Sequence, residues 1–146
     1  MADHGFDADV LVVGSGPGGA TAAWDLARRG RDVAFIDGAS FPRVKLCAGW
    51  ITPQILDALE LDPADYPHTF QPFDSAVLWV GEEPYRTDYE RPVSYGIIRA
   101  QFDDYLRQRA MEAGARFINE QVKTVAVDGD AVRVATKGGG EFRAPL

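Results

Sequence analysis

Three features of this chain could do chemistry: the glycine cluster Gly14-Ser15-Gly16-Pro17-Gly18-Gly19, the acid Asp37, and the single thiol Cys47 with Arg43 and Lys45 close by in sequence. The cluster fits the pattern GxGxxG, and each glycine has a physical use. Gly14 permits a tight turn, Gly16 removes the Cβ that would keep a pyrophosphate at a distance, and Gly19 lets a helix pack closely on a strand. A helix starting there offers unpaired N–H groups and the positive end of its dipole to an anion. Asp37 follows Gly19 by 18 residues, close to the separation at which an acid accepts from a ribose hydroxyl. Its charge would repel a 2′-phosphate and so disfavours NADP. Together these residues predict a dinucleotide site. The competing readings are a glycine turn without a ligand and, for Asp37 beside Gly38, a simple turn.

The elements needed to position these groups are legible around them. Val10–Val13 reads as a buried parallel strand. Pro17–Arg29 reads as a helix, with Pro17 suited to its first turn, Ala20, Ala23 and Ala27 on one small-residue face, and Gly30 as its stop. Val33–Ile36 is a second strand ending at Asp37, which completes a βαβ unit. Gly38–Gly49 is irregular. Thr52 is placed to cap a helix over Pro53–Leu59. Residues 62–73 read as loop, and Ala76–Val80 and Tyr85–Asp88 as weaker strands. Gln101–Ala113 reads as a helix with Phe102, Tyr105, Leu106, Arg109 and Ala110 at helical spacing and Gly114 as its stop. Arg116–Ile118 is predicted as a third parallel strand. Val122–Val127, Ala131–Thr136 and Glu141–Ala144 form a three-stranded meander with turns at Asp128-Gly129 and Gly138-Gly139-Gly140. The second of these opens no helix and is a hairpin tip, not a phosphate loop. The fold class is therefore α/β, a Rossmann-like parallel sheet plus a β-meander.

Bulk properties narrow the function classes. The 146 residues suffice for one compact domain. A net charge of −7 disfavours non-specific nucleic-acid binding. One cysteine excludes an internal disulfide, and with only His4 and His68 as imidazoles no metal site is expected. No apolar run is long enough for a spanning helix. The acidic, polar start of the chain is unlike a secretory signal, so the expected location is the cytoplasm.

The glycine motif alone fits NAD or FAD. The order of elements favours FAD: about 60 residues of irregular chain and weak strands separate the βαβ unit from the next helix, and a meander follows the third strand, as in two-dinucleotide-fold flavoproteins. The sequence resembles the N-terminal part of the geranylgeranyl reductase family of FAD-dependent oxidoreductases. The resemblance rests on GSGPGG at 14–19, Asp37, PRVKLCAGW at 42–50 and RAQFDDYL at 99–106, and covers nearly the whole chain.

The resemblance implies that Gly14, Gly16, Gly18 and Gly19 meet the pyrophosphate and that Asp37 holds the adenosine ribose. It places Cys47 and Ala48 beside the flavin, brings Arg99 to the cofactor, and sets the Val122 backbone against adenine. It assigns no catalytic residue. Trp50 stands where the family often has glycine, which bears on the substrate more than on the cofactor. The implied partner is an apolar isoprenoid, with peripheral membrane association possible and no transmembrane segment. The alternatives are a flavin monooxygenase or halogenase of the same fold, and a non-catalytic module holding NAD or ADP. The resemblance also implies a full-length protein roughly two to three times as long, with the second FAD motif and the substrate domain beyond Leu146. The expectations are then weak FAD binding, no turnover by this chain alone, and self-association through the unpaired edge at Phe142–Leu146.

Plainer readings stand beside these. A lone cysteine is usually a small buried side chain, although Arg43 and Lys45 could lower its pKa if they faced it. Arg99 could be a solvated cation, yet a helix start is a poor place for one. Trp24 and Trp79 are expected to pack, His68 to lie at the surface, and Glu82 and Glu83 to form a solvated turn.

Overall fold

A computed structural model describes residues 5–145; His4 and Leu146 lie outside the described residues. The described chain forms β1 (Val10–Val13), α1 (Pro17–Arg28), β2 (Val33–Ile36), β3 (Trp50–Ile51), α2 (Pro53–Leu59), β4 (Phe70–Phe73), β5 (Ser75–Val80), β6 (Glu83–Asp88), β7 (Ser94–Ile97), α3 (Arg99–Glu112), β8 (Arg116–Ile118), β9 (Val122–Asp128), β10 (Ala131–Thr136) and β11 (Glu141–Pro145). These elements fall into two compact units, one built from the segments up to Arg43 and from Asp103 onward, the other from Val44–Phe102.

The first unit carries the predicted α/β fold. Its parallel sheet has the order β1-β2-β8. Val10 pairs with Val33 and Val13 with Ile36, while Phe35 pairs with Phe117 on the other side. The central strand β2 is buried at all four positions, which is why it reads as an unbroken apolar run. Ala23 and Trp24 of α1, Val33 and Phe35 of β2, and Ala110 and Ala115 form the core cluster, with Val12, Met111 and Phe117 packed against it. The Phe35 and Phe117 rings are 5.1 Å apart and tilted, a favoured aromatic geometry. Trp24 packs as expected, and Arg28 and Arg109 lay their guanidinium groups over its ring at 4.2 and 4.1 Å.

The meander follows the order β11-β10-β9. Its first turn is one residue later than expected. Ala131 pairs with Asp128, so Gly129-Asp130 is the two-residue loop. Gly129 has φ 66°, as the first central residue of a type II′ turn requires. The edge of β11 is partly covered. Asp7 donates its N–H to the Arg143 carbonyl (2.8 Å), and the Asp7 carboxylate accepts from the Arg143 N–H (2.6 Å). This weakens the case for association through the edge.

The second unit is less regular than its neighbour. Its sheet has the order β3-β7-β4. All three strands fall in stretches that sequence pattern left as loop or unassigned. Their partners are remote, so local alternation is a poor guide to them. β7 is central, and Phe70 stacks on Tyr95 at 4.6 Å. Tyr66 is buried against Phe70 and Phe102. Helix α2 forms as expected, but Thr52 makes no side-chain cap bond. The β5–β6 hairpin turns at Gly81-Glu82, because Val80 pairs with Glu83; Glu82 is thus in the turn and Glu83 opens β6. Trp79 is 64% exposed, contrary to its expected packing role, because both faces of this two-stranded hairpin are largely open. His68 is exposed, as expected.

Candidate functional site

In the first unit the glycine loop joins β1 to α1. The Gly14 N–H donates to the Ile36 carbonyl at 2.7 Å, and Gly14 has φ 97°, a conformation that favours glycine. A Cβ on Gly19 would lie 1.8 Å from the Gly14 carbonyl oxygen, so the loop can close only on glycine. A Cβ on Gly18 would meet nothing within 4 Å. Gly18 therefore borders open space, where a ligand could approach the backbone.

Helix α1 begins without the usual neutralising groups. Gly16 is its N-cap with no side-chain cap bond, Pro17 follows, and no acid lies in the first turn. The N-terminal N–H groups and positive dipole end are left for an external anion.

Asp37 is built into the loop. Its Oδ2 accepts from the Ser15 N–H and its Oδ1 from the Ala39 N–H, both at 2.8 Å. Partial burial raises the carboxyl's pKa, but these two N–H donors, then the adjacent Ser15 side chain and the charge of Arg43, outweigh it, so Asp37 stays below its ordinary 3.8. The Ser15 hydroxyl is buried nearby without closing a hydrogen bond. Each carboxylate oxygen keeps a second acceptor position, so a ribose hydroxyl can still be bound. Asn119, just after β8, donates its amide to the carbonyls of Asp37 (2.9 Å) and Ala39 (2.7 Å).

Sequence reasoning missed two further groups. The Arg43 guanidinium lies 3.6 Å from the fully buried carboxylate of Asp103, and its Nη2 would be 3.4 Å from a Cβ on Gly16. The presence of a family motif around each residue was the available signal, but nothing local linked Arg43 to Asp103. Val122 stands at the start of β9, paired with Thr136 across an irregularity in the ladder.

The remaining predicted residues lie in the second unit. Cys47 is exposed, not a small core side chain. The Gly49 N–H, at 3.5 Å from Sγ, is the largest influence lowering its pKa below the ordinary 9.0, followed by the Arg99 side chain. Neither Arg43 nor Lys45 has this role: Arg43 is engaged by Asp103 and Lys45 is exposed. Gly49 is obligatory, because φ is 68° and a Cβ there would be 2.1 Å from the Ile97 carbonyl oxygen. Ala48 and Trp50 are exposed, and Arg99 opens α3 half-buried. Among the described residues no group of His, Cys, Asp and Glu could hold a metal ion, and no helix is long and apolar enough to cross a membrane.

An open glycine loop, an uncapped helix start, a cation beside the loop and a fixed carboxylate fit the phosphates and ribose of a dinucleotide. A family described as an NAD(P)-binding Rossmann-like domain matches residues 12–45. The geranylgeranyl diphosphate reductase of Rhodobacter capsulatus is 34% identical over 85% of this chain and 33% of its own length. A tryptophan 2-halogenase of Chondromyces crocatus is 32% identical over 83% of this chain and 24% of its own. Among solved structures, a geranylgeranyl bacteriochlorophyll reductase-like protein from Thermoplasma acidophilum superposes with a TM-score of 0.79 at 24% identity, covering 95% of this chain and 37% of that one. Over most of its length the chain is therefore similar to a geranylgeranyl reductase and to a halogenase, and it has the Rossmann-like fold they are matched through. It spans about a third or less of the length of these relatives.

Proposed function

We propose that this chain is the part of a flavin-dependent oxidoreductase that grips the ADP moiety of FAD, and that the enzyme reduces double bonds of an isoprenoid substrate. The observation that carries the reading is the uncapped start of α1 behind an open Gly18, with Asp37 bonded into the same loop. Bound FAD supplies hydride-transfer chemistry. The residues of this chain bind and orient it: the first turn of α1 receives the pyrophosphate, Asp37 the adenosine ribose, and the Val122 backbone the adenine. In the second unit Cys47 and Ala48 are assigned to the flavin, and Arg99 to the cofactor. The compartment proposed is the cytoplasm, in keeping with a single, unpaired cysteine.

Purified protein is denatured and the released ligand identified by its absorbance. A flavin spectrum is expected, and tight NAD with no flavin uptake would overturn the reading. Gly16→Val places a branched side chain against Arg43 and across the phosphate approach, and is expected to abolish uptake.

A second reading, a flavin-dependent halogenase, is favoured by the match to the tryptophan halogenase. An enzyme containing this chain separates the two. With reduced flavin and no oxygen, the first reading expects a polyprenyl diphosphate to be saturated. The second expects product only when oxygen, halide and an aromatic substrate are all present.

A further inference from the structure

Arg43 and Asp103 belong to two motifs of the chain, PRVKLCAGW and RAQFDDYL; Arg43 is the cation beside the glycine loop, and the proposed function assigns neither residue a ligand atom. Both lie in the first unit. Asp103 is fully buried, and Arg43 is 20% exposed. Their closest approach of 3.6 Å is an ionic contact longer than a hydrogen bond. The Nε–H of Arg43 is buried and donates to nothing. Its guanidinium also faces the Phe41 ring at 5.2 Å, a contact that uses the cation's π-face and none of its donors. A buried guanidinium donor without an acceptor is costly, and the planar guanidinium fork is suited to two oxygens of one anion. The fork stands at Gly16, beside the helix start already left without a capping side chain.

We propose that Arg43 is a ligand of the diphosphate and that Asp103 is the positioning residue that holds its guanidinium at the glycine loop. The inference rests on the reading that this loop holds a dinucleotide. In the apo chain Asp103 neutralises Arg43 from the buried side. The pyrophosphate supplies acceptors from the open side, so the cation is held between two anions. A purely structural Arg43 would tether residues 38–43 to α3 and would not distinguish ligands with phosphates from ligands without them.

The full chain is tested as wild type, Arg43→Met, Arg43→Lys, Asp103→Asn and the Met/Asn double variant. FAD is followed by flavin fluorescence, and ADP and adenosine by 15N chemical-shift titration. Arg43→Met is expected to weaken ADP by about 10- to 100-fold while leaving adenosine within about twofold. Arg43→Lys, which keeps the charge but not the fork, should fall between wild type and Arg43→Met. Asp103→Asn should weaken ADP by about 3- to 10-fold, with no further loss when added to Arg43→Met. Circular dichroism checks folding; if Arg43→Met unfolds, the ADP-to-adenosine comparison is made on Arg43→Lys. Unchanged ADP affinity in the Arg43 variants, or equal losses for ADP and adenosine, overturns this inference alone. Failure of the wild type to take up FAD or ADP overturns both it and the proposed function.

Discussion

The backbone N–H of Ser15 donates to Oδ2 of Asp37 over 2.8 Å, joining the glycine loop to the end of β2. Asp37 therefore does two things at once. It shapes the loop that faces the phosphates, and it presents a charge to the ribose side. Its depressed pKa makes this a pH-dependent device. A carboxyl bonded in the folded state contributes stability above its unfolded pKa and loses it as pH falls through the folded value. Stability from Asp37 is thus complete above about pH 5 and is lost below the ordinary value of 3.8. The Asp37 carboxyl resonance should titrate below 3.8; a midpoint at or above it contradicts the assignment. Asp37→Asn should cost about 1–2 kcal/mol in urea unfolding, discounted for partial exposure, and should flatten the acid limb of the stability profile.

Gly18 and Gly19 are adjacent but answer to different constraints. Gly19→Ala puts a Cβ 1.8 Å from the Gly14 carbonyl oxygen, so the loop must move. A loss of about 2–4 kcal/mol is expected by denaturant titration. Gly18→Ala enters open space and should leave unfolding within about 0.5 kcal/mol of wild type, since removing a helix glycine is mildly favourable. It should nevertheless weaken FAD, because the added methyl occupies the phosphate approach. Equal effects of the two substitutions on stability would sink this division of labour.

Cys47 is predicted to be an unusually acidic thiol for an exposed side chain. Its alkylation rate should rise with pH about a midpoint below 9.0. The Gly49 N–H is the main cause, with Arg99 second. Arg99→Gln should therefore shift the midpoint upward without restoring the full ordinary value. An unshifted profile in the variant would remove Arg99 from the thiol's environment.

The core rests heavily on one ring. Phe35 has no exposed surface and lies between the paired strands β1 and β8, in contact with Phe117. Phe35→Ala should cost about 3–5 kcal/mol through lost burial and a cavity. Phe35→Leu should cost less. A cost for the alanine variant under about 1 kcal/mol would mean that the sheet can collapse onto the vacancy.

The sequence by itself determined the parts of this protein that are written locally. An apolar run, a glycine turn, a small-residue helix face and a terminal acid lie within residues 10–37, so short-range pattern was enough to place β1, α1 and β2 and to predict a dinucleotide site. The meander was equally legible, because its strands pair with sequence neighbours. What only the tertiary structure decided depends on contacts between distant segments. The strands Trp50–Ile51, Phe70–Phe73 and Ser94–Ile97 exist through pairing with one another, not through local alternation. Arg43 is given its place by Asp103, 60 residues later. Asn119 ties down the Asp37–Ala39 turn from the end of the neighbouring strand β8, about 80 residues away in sequence. Cys47 takes its acidity first from the Gly49 N–H and then from Arg99, not from the cations beside it in sequence. Charge and hydrogen bonding act through space, and the fold alone sets which charges and donors come within reach.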